Sequence, residues 1–102
     1  MIALRQAFAP NHPATRGHFP SQPILPGAFL LDAAIRAISA AYGFSCERIR
    51  VESAKFPRSV LPGQSVDWEL EDPVTKEAGC VVKFRGSVDG EVVISGVLVF
   101  PA

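Results

Sequence analysis

Two residues of this sequence stand out for the protons they could move. His18 opens the run His18-Phe19-Pro20-Ser21-Gln22-Pro23-Ile24-Leu25-Pro26-Gly27, and Asp32 follows it shortly afterwards. An imidazole takes or gives a proton near neutral pH without help from its surroundings. A carboxyl in an apolar setting can be held neutral and donate one. If the two meet, they form a general acid–base pair. Between them, Pro26-Gly27 opens a helix whose first N–H groups and positive dipole end favour a developing oxyanion. Gly27 carries no side chain to obstruct that approach. Base, acid and oxyanion stabiliser together suit proton removal beside a carbonyl.

Plainer readings stand beside this one. A lone histidine in a proline-rich loop is more often structural or solvent-exposed than catalytic. Asp32 and Arg36 stand at i and i+4, with Ser39 one turn on, the spacing of an ordinary ion pair on a solvated helix stripe. The prolines could serve only to shape a turn. Composition and spacing leave the enzymatic reading level with these at best.

The elements that must position such residues are legible in pattern. Residues 2–8 loosely alternate and read as a first strand. The connection from Asn11 to Pro26 holds four prolines, which fix φ and restrict the residue before each, so it reads as stiff. Pro26-Gly27 begins a helix rich in Ala and Leu that Gly43 should stop. Apolar residues cover most of its circumference, which predicts a buried helix. Strands are expected at 49–56, 65–70, 79–88 and 92–100, with turns at Leu61-Pro62-Gly63-Gln64 and Asp89-Gly90. The 92–100 strand is apolar on both faces, which places it centrally or at a subunit contact. The class is α+β: one domain over residues 1–102 in which an antiparallel sheet wraps a helix.

Composition narrows the partners. Ten basic residues balance ten acidic ones, so no net field draws the chain to nucleic acid or to an anionic membrane. Hydrophobic residues make up 48% of 102, enough to fold, although a core this small would gain from a partner subunit. Cys46 and Cys80 lack metal-ligand spacing and read as reduced, mostly buried thiols, with no metal site. The most apolar stretch, 28–42, is interrupted by Asp32, Arg36 and Ser39 and is too short to span a bilayer. No signal peptide is evident at the N-terminus, so a cytoplasmic location is expected.

The motif His18-Phe19-Pro20-x-x-Pro23-x-x-Pro26-Gly27-x-x-x-x-Asp32-Ala33, with Asn11-x-Pro13 and Gly17 upstream, resembles the signature of the hot-dog-fold 3-hydroxyacyl-[acyl-carrier-protein] dehydratases. The stretch Lys55-Phe56-Pro57-Arg58-Ser59-Val60-Leu61-Pro62-Gly63 is also similar to theirs. The resemblance implies a long central helix wrapped by a bent antiparallel sheet of five or six strands. It implies a dimer or larger assembly in which the histidine of one chain faces the acid of another. His18 would remove the proton next to the thioester carbonyl, and Asp32 would help the 3-hydroxyl leave as water. The backbone N–H of Gly27, with that of Ala28, would hold the thioester oxygen. The product would be a trans-2-enoyl thioester of fatty-acid or polyene and polyketide-type synthesis. No separate cofactor is implied, because the substrate brings its own phosphopantetheine on acyl carrier protein or coenzyme A.

The match is closest over residues 11–34 and 55–63, and short stand-alone dehydratases with Asp as the acid are the most similar in pattern. Three departures qualify it. Ala14, Thr15 and Arg16 stand where many relatives have an aromatic pair. Arg36 replaces a common Gln, and a guanidinium there would favour a charged Asp32, able to orient water or His18 but not to donate a proton. The chain is also shorter than the housekeeping enzymes. For the acidic carrier, Lys55 and Arg58 are the docking candidates, with Arg16 and Arg85 behind them, against the plainer reading of solvated strand residues. Two alternatives remain: a hot-dog thioesterase, and a non-catalytic dehydratase-like subunit of a heterodimer.

Overall fold

Helix α1 (Gly27–Tyr42) starts after Pro26, whose φ of −60° and ψ of 145° keep it outside the helix as the N-cap. It ends at Gly43, whose φ of 74° lets its N–H return to the Ser39 carbonyl at 2.8 Å. The computed structural model describes residues 1–9 and 24–101. His18, Arg16 and the remainder of residues 10–23 lie outside them.

Around α1 runs a six-stranded antiparallel sheet: β1 (Ile2–Ala7), β2 (Arg50–Lys55), β3 (Ser65–Leu70), β4 (Val74–Lys76), β5 (Gly79–Val88) and β6 (Glu91–Phe100). The strand order is β1-β3-β5-β6-β2, with β4 pairing β5 off this path. This is the helix-and-bent-sheet architecture expected from the sequence. Strand β6 lies between β5 and β2, so its two apolar faces follow from a central position. The β5–β6 hairpin turns through Asp89 (φ 50°) and Gly90 (φ 81°), the double positive φ that matches strand twist in a two-residue turn.

The core forms where the alternating faces meet the helix. Val66, Trp68 and Leu70 of β3 point inward, as do Val82 and Phe84 of β5 and Ile94, Leu98 and Phe100 of β6. They close on Leu30, Ala33, Ala34 and Ile38 of α1. Trp68 is 1% exposed, and its indole N–H donates to Gln6 Oε1 at 3.0 Å, so burial leaves no donor unpaired there.

Three expectations are corrected. The helix is not buried all round: Ala28, Asp32, Arg36 and Ala40 form an exposed stripe at four-residue spacing, because the sheet covers only one side of α1. Ser39 is not part of that stripe; it is buried and accepts from the Cys46 thiol at 3.1 Å. Cys46 is exposed and Cys80 half-buried, so the thiols are free but not mostly buried. Cys46 falls in the irregular segment between α1 and β2, where no second layer covers it. Strand β4 was not foreseen either, since its three residues are all exposed and carry no alternation.

Candidate active site

The segment leading into α1 is held by the second proline-glycine stretch. Leu25 donates its N–H to the Val60 carbonyl at 2.8 Å, and both side chains are buried. Two residues on, the ring of Phe56 lies over Gly27, so that a Cβ at position 27 would stand 3.2–3.3 Å from three of its carbons. The two stretches that carry the family resemblance are therefore in contact at the helix tip. A cleft of about 220 Å³ opens there, lined among others by Gly27, Phe56 and Arg58.

The Pro26 carbonyl accepts the N–H groups of Phe29 (3.0 Å) and Leu30 (3.2 Å), which leaves those of Gly27 and Ala28 without an acceptor among the described residues. Among the described residues no side chain caps the helix, and its first turn holds no acid. Two free donors at the positive end of a helix dipole are suited to a negatively charging oxygen.

Asp32 sits one turn beyond Ala28 on the exposed stripe of α1. It lines a groove of about 810 Å³ between α1 and β1, walled by Ile2, Leu4, Phe29, Ala33 and Ala37. Phe29 at one end of this groove meets the ring of Phe8 edge-on, with centroids 5.5 Å apart. The small alanine side chains leave the groove open and its walls apolar. Arg36 donates from Nε to Asp32 Oδ2 at 2.8 Å. That hydrogen bond, reinforced by the charge of Asp32, raises the guanidinium above its ordinary value. The other cation on the groove, Arg5, is held by Asp67 through two bonds of 2.7 and 3.3 Å.

Of the residues singled out in the sequence, Ala28 and Asp32 share one helix face, and Gly27 and Arg58 share one cleft. Among the described residues, the cleft of Gly27 and the groove of Asp32 have no lining residue in common. His18 lies outside the described residues. Lys55 is exposed on the outer sheet face, beside Ser95 and Arg85 in a row that crosses β2, β6 and β5. Arg58 is bonded to Glu91 Oε2 at 3.0 Å, and Arg85 to Glu69 at 2.7 Å. Lys55 and Arg58 line separate depressions. Phe56, the cover of Gly27, is 44% exposed, and no local sequence pattern announces its role. No group of three or more His, Cys, Asp or Glu among the described residues could hold a metal ion.

Comparison with known proteins places these features in a family. A family model described as ApeI-like, ApeI dehydratase, matches residues 1–97. A 3-hydroxyacyl-[acyl-carrier-protein] dehydratase FabZ of Anaeromyxobacter sp. (strain K) is 37% identical over 105 residues, covering 91% of this chain and 65% of that protein. The chain thus spans just under two thirds of the length of that relative. The corresponding FabZ of Ruminiclostridium cellulolyticum is 31% identical, covering 98% of this chain and 75% of the other. Among solved structures, the dehydratase heterocomplex ApeI:P from Xenorhabdus doucetiae matches with a TM-score of 0.77 and 25% identity, over 98% of this chain and 86% of that one. The sequence motif, the wrapped helix and these matches agree: the chain belongs to the ApeI-like dehydratase family, with the hot-dog fold.

Proposed function

We propose that this chain removes water from a 3-hydroxyacyl thioester to give the trans-2-enoyl thioester, on a chain destined for fatty-acid or polyene and polyketide-type products. The observation that carries the reading is helix α1 itself: its first amides have no acceptor among the described residues, and one turn on Asp32 lines a largely apolar groove. In this reading His18 takes the C2 proton and the amides of Gly27 and Ala28 hold the enolate oxygen of the thioester. Asp32 holds the departing hydroxyl, and the acyl chain runs along the groove. Preorganised donors at the point where charge develops are the largest single source of such catalysis.

A second chain completes the site. Strand β2 is an edge strand whose side chains are almost all exposed, and Val51 remains 43% exposed although its register partner Leu98 is buried. An edge of this kind accepts another strand. The partner is a second copy, giving a homodimer or larger homo-oligomer, in which the base of one protomer reaches the acid of the other. Lys55 and Arg58 meet the acidic carrier. The reaction takes place in the cytoplasm; no helix among the described residues is long and apolar enough to cross a membrane.

One observation supports a variant reading. The Xenorhabdus structure is a dehydratase heterocomplex, and this chain is similar to a component of it. A dehydratase-like subunit that supplies only part of a shared site would be inert alone and active with a second dehydratase subunit. Incubating the purified chain with a 3-hydroxyacyl and a saturated acyl thioester on the same carrier tests the function. The dehydratase converts the first to the enoyl product and leaves the second intact. Release of free acid from both marks a thioesterase, and no change in either marks the incomplete subunit.

A further inference from the structure

We infer that Arg36 is a positioning residue for Asp32, fixing its carboxylate as a charged acceptor with one oxygen engaged and the other free for the substrate hydroxyl. The inference rests on the dehydratase reading of the Asp32 groove. Arg36 Nε lies 2.8 Å from Oδ2, and both side chains line the cavity between α1 and β1. Among the described groups on that cavity, Arg36 is the cation bonded to Asp32, because the guanidinium of Arg5 is forked onto Asp67. In the separate protomer the pair is open to water, with side chains 73% and 54% exposed, and a surface pair of this kind does little for stability. Its surroundings give it a different weight once covered. Ala33, Ala37 and Ala40 of α1 and Ile2 and Leu4 of β1 line the same cavity, beside Gln6 and the engaged Arg5. When an acyl chain or a partner surface closes the groove, the local dielectric falls and the guanidinium–carboxylate attraction strengthens. A carboxylate so held does not swing between rotamers and does not need to find a new partner as water leaves.

The chemistry that follows is specific. A carboxylate bonded to a guanidinium accepts a hydrogen bond from the 3-hydroxyl, whose O–H bond stays intact, and aligns the C3–O bond for cleavage. The base takes the C2 proton, the electron pair forms the C2–C3 double bond, and the C3–O pair leaves with oxygen. The protonated base then supplies the proton that turns the departing hydroxide into water. Every atom is accounted for without a proton held on Asp32.

The full chain with Arg36→Gln and Arg36→Lys tests this by steady-state turnover of a carrier-bound 3-hydroxyacyl thioester. A second arm follows the Arg36 Nε–H signal by nitrogen-15 NMR with and without Asp32→Asn. The inference expects Arg36→Gln to lower kcat about tenfold or more at nearly constant KM, because misplacement of a reacting group is costly. Arg36→Lys, which keeps a cation at i+4, recovers part of that loss. The Nε–H signal moves and exchanges faster when Asp32 becomes neutral. Full activity in Arg36→Gln, a loss confined to KM, or no advantage of Lys over Gln overturns the inference. An Nε–H signal indifferent to Asp32→Asn overturns the ion pair itself. If wild type turns nothing over while the NMR arm still reports the pair, the dehydratase reading and the catalytic role of Arg36 both fall, and the pair alone stands.

Discussion

The ring of Phe56 rests on the Cα side of Gly27, close enough that a methyl group there would sit 3.2–3.3 Å from it. The contact ties the stretch at 55–63 to the start of α1, and in the proposed reaction it would set the space for a thioester oxygen at the helix tip. Gly27→Ala should therefore separate stability from activity. Phe56 is 44% exposed and can give way by a few tenths of an ångström, so the melting temperature should change little. Turnover should fall about 10- to 100-fold, because the methyl group enters the place of the oxyanion. Thermal melts beside kinetics on the same preparation check this.

The core makes a different demand. Trp68 is 1% exposed and reaches Gln6 with its indole N–H. Trp68→Ala should cost about 3–5 kcal/mol by opening a large cavity. Gln6→Ala, which leaves the indole donor unpaired, should cost about 1–3 kcal/mol. Urea titrations give both values, and the m-value should stay unchanged if the denatured state is unaltered.

Stability should fall in acid, and the groups responsible are named. The Arg5 hydrogen bond holds the Asp67 carboxyl below its usual value of 3.8, and the terminal ammonium does the same for Asp72. A carboxyl depressed on folding contributes stability that is present above 3.8 and is lost as pH falls through the lower folded value. The urea midpoint should drop below about pH 4. Arg5→Gln should remove part of that drop, and high salt should weaken it, since both pairs are exposed. A midpoint whose acid dependence is the same in Arg5→Gln contradicts the assignment.

Sharing of the site between chains has its own test. Mixing His18→Ala protein with Asp32→Ala protein under conditions that exchange subunits should restore activity to about a quarter of wild type, since half of the random dimers then carry one intact site of two. Neither variant alone should be active. A mixture as inactive as its parts places both residues in one protomer's site or in none.

Much of the architecture was legible because its periodicities are strong. Strand β3 alternates Val66, Trp68 and Leu70 against Asp67 and Glu69, and the bounds read from that alternation match the observed strand. The same holds for β5, and Asp89-Gly90 marked the hairpin through the φ values that these residue types tolerate. Helix α1 was bracketed by Pro26 and Gly43. Alanine misled the burial reading. It is small enough to sit exposed without cost, so Ala28 and Ala40 look like core in the sequence and belong to an open stripe in the fold. The ion pair of Asp32 and Arg36 was visible as i and i+4 spacing, but its place on an apolar groove depends on β1, distant in sequence. The meeting of Phe56 with Gly27 was invisible for the same reason. No local pattern encodes a contact made through the Leu25–Val60 pairing.

The central claim is that His18 and Asp32 together take water from a 3-hydroxyacyl chain. The mass of a carrier-bound 3-hydroxyacyl thioester after incubation with wild type, His18→Ala and Asp32→Ala measures it most directly. Wild type should yield a product lighter by one water, and each variant should leave the substrate unchanged. Equal conversion by all three proteins contradicts it.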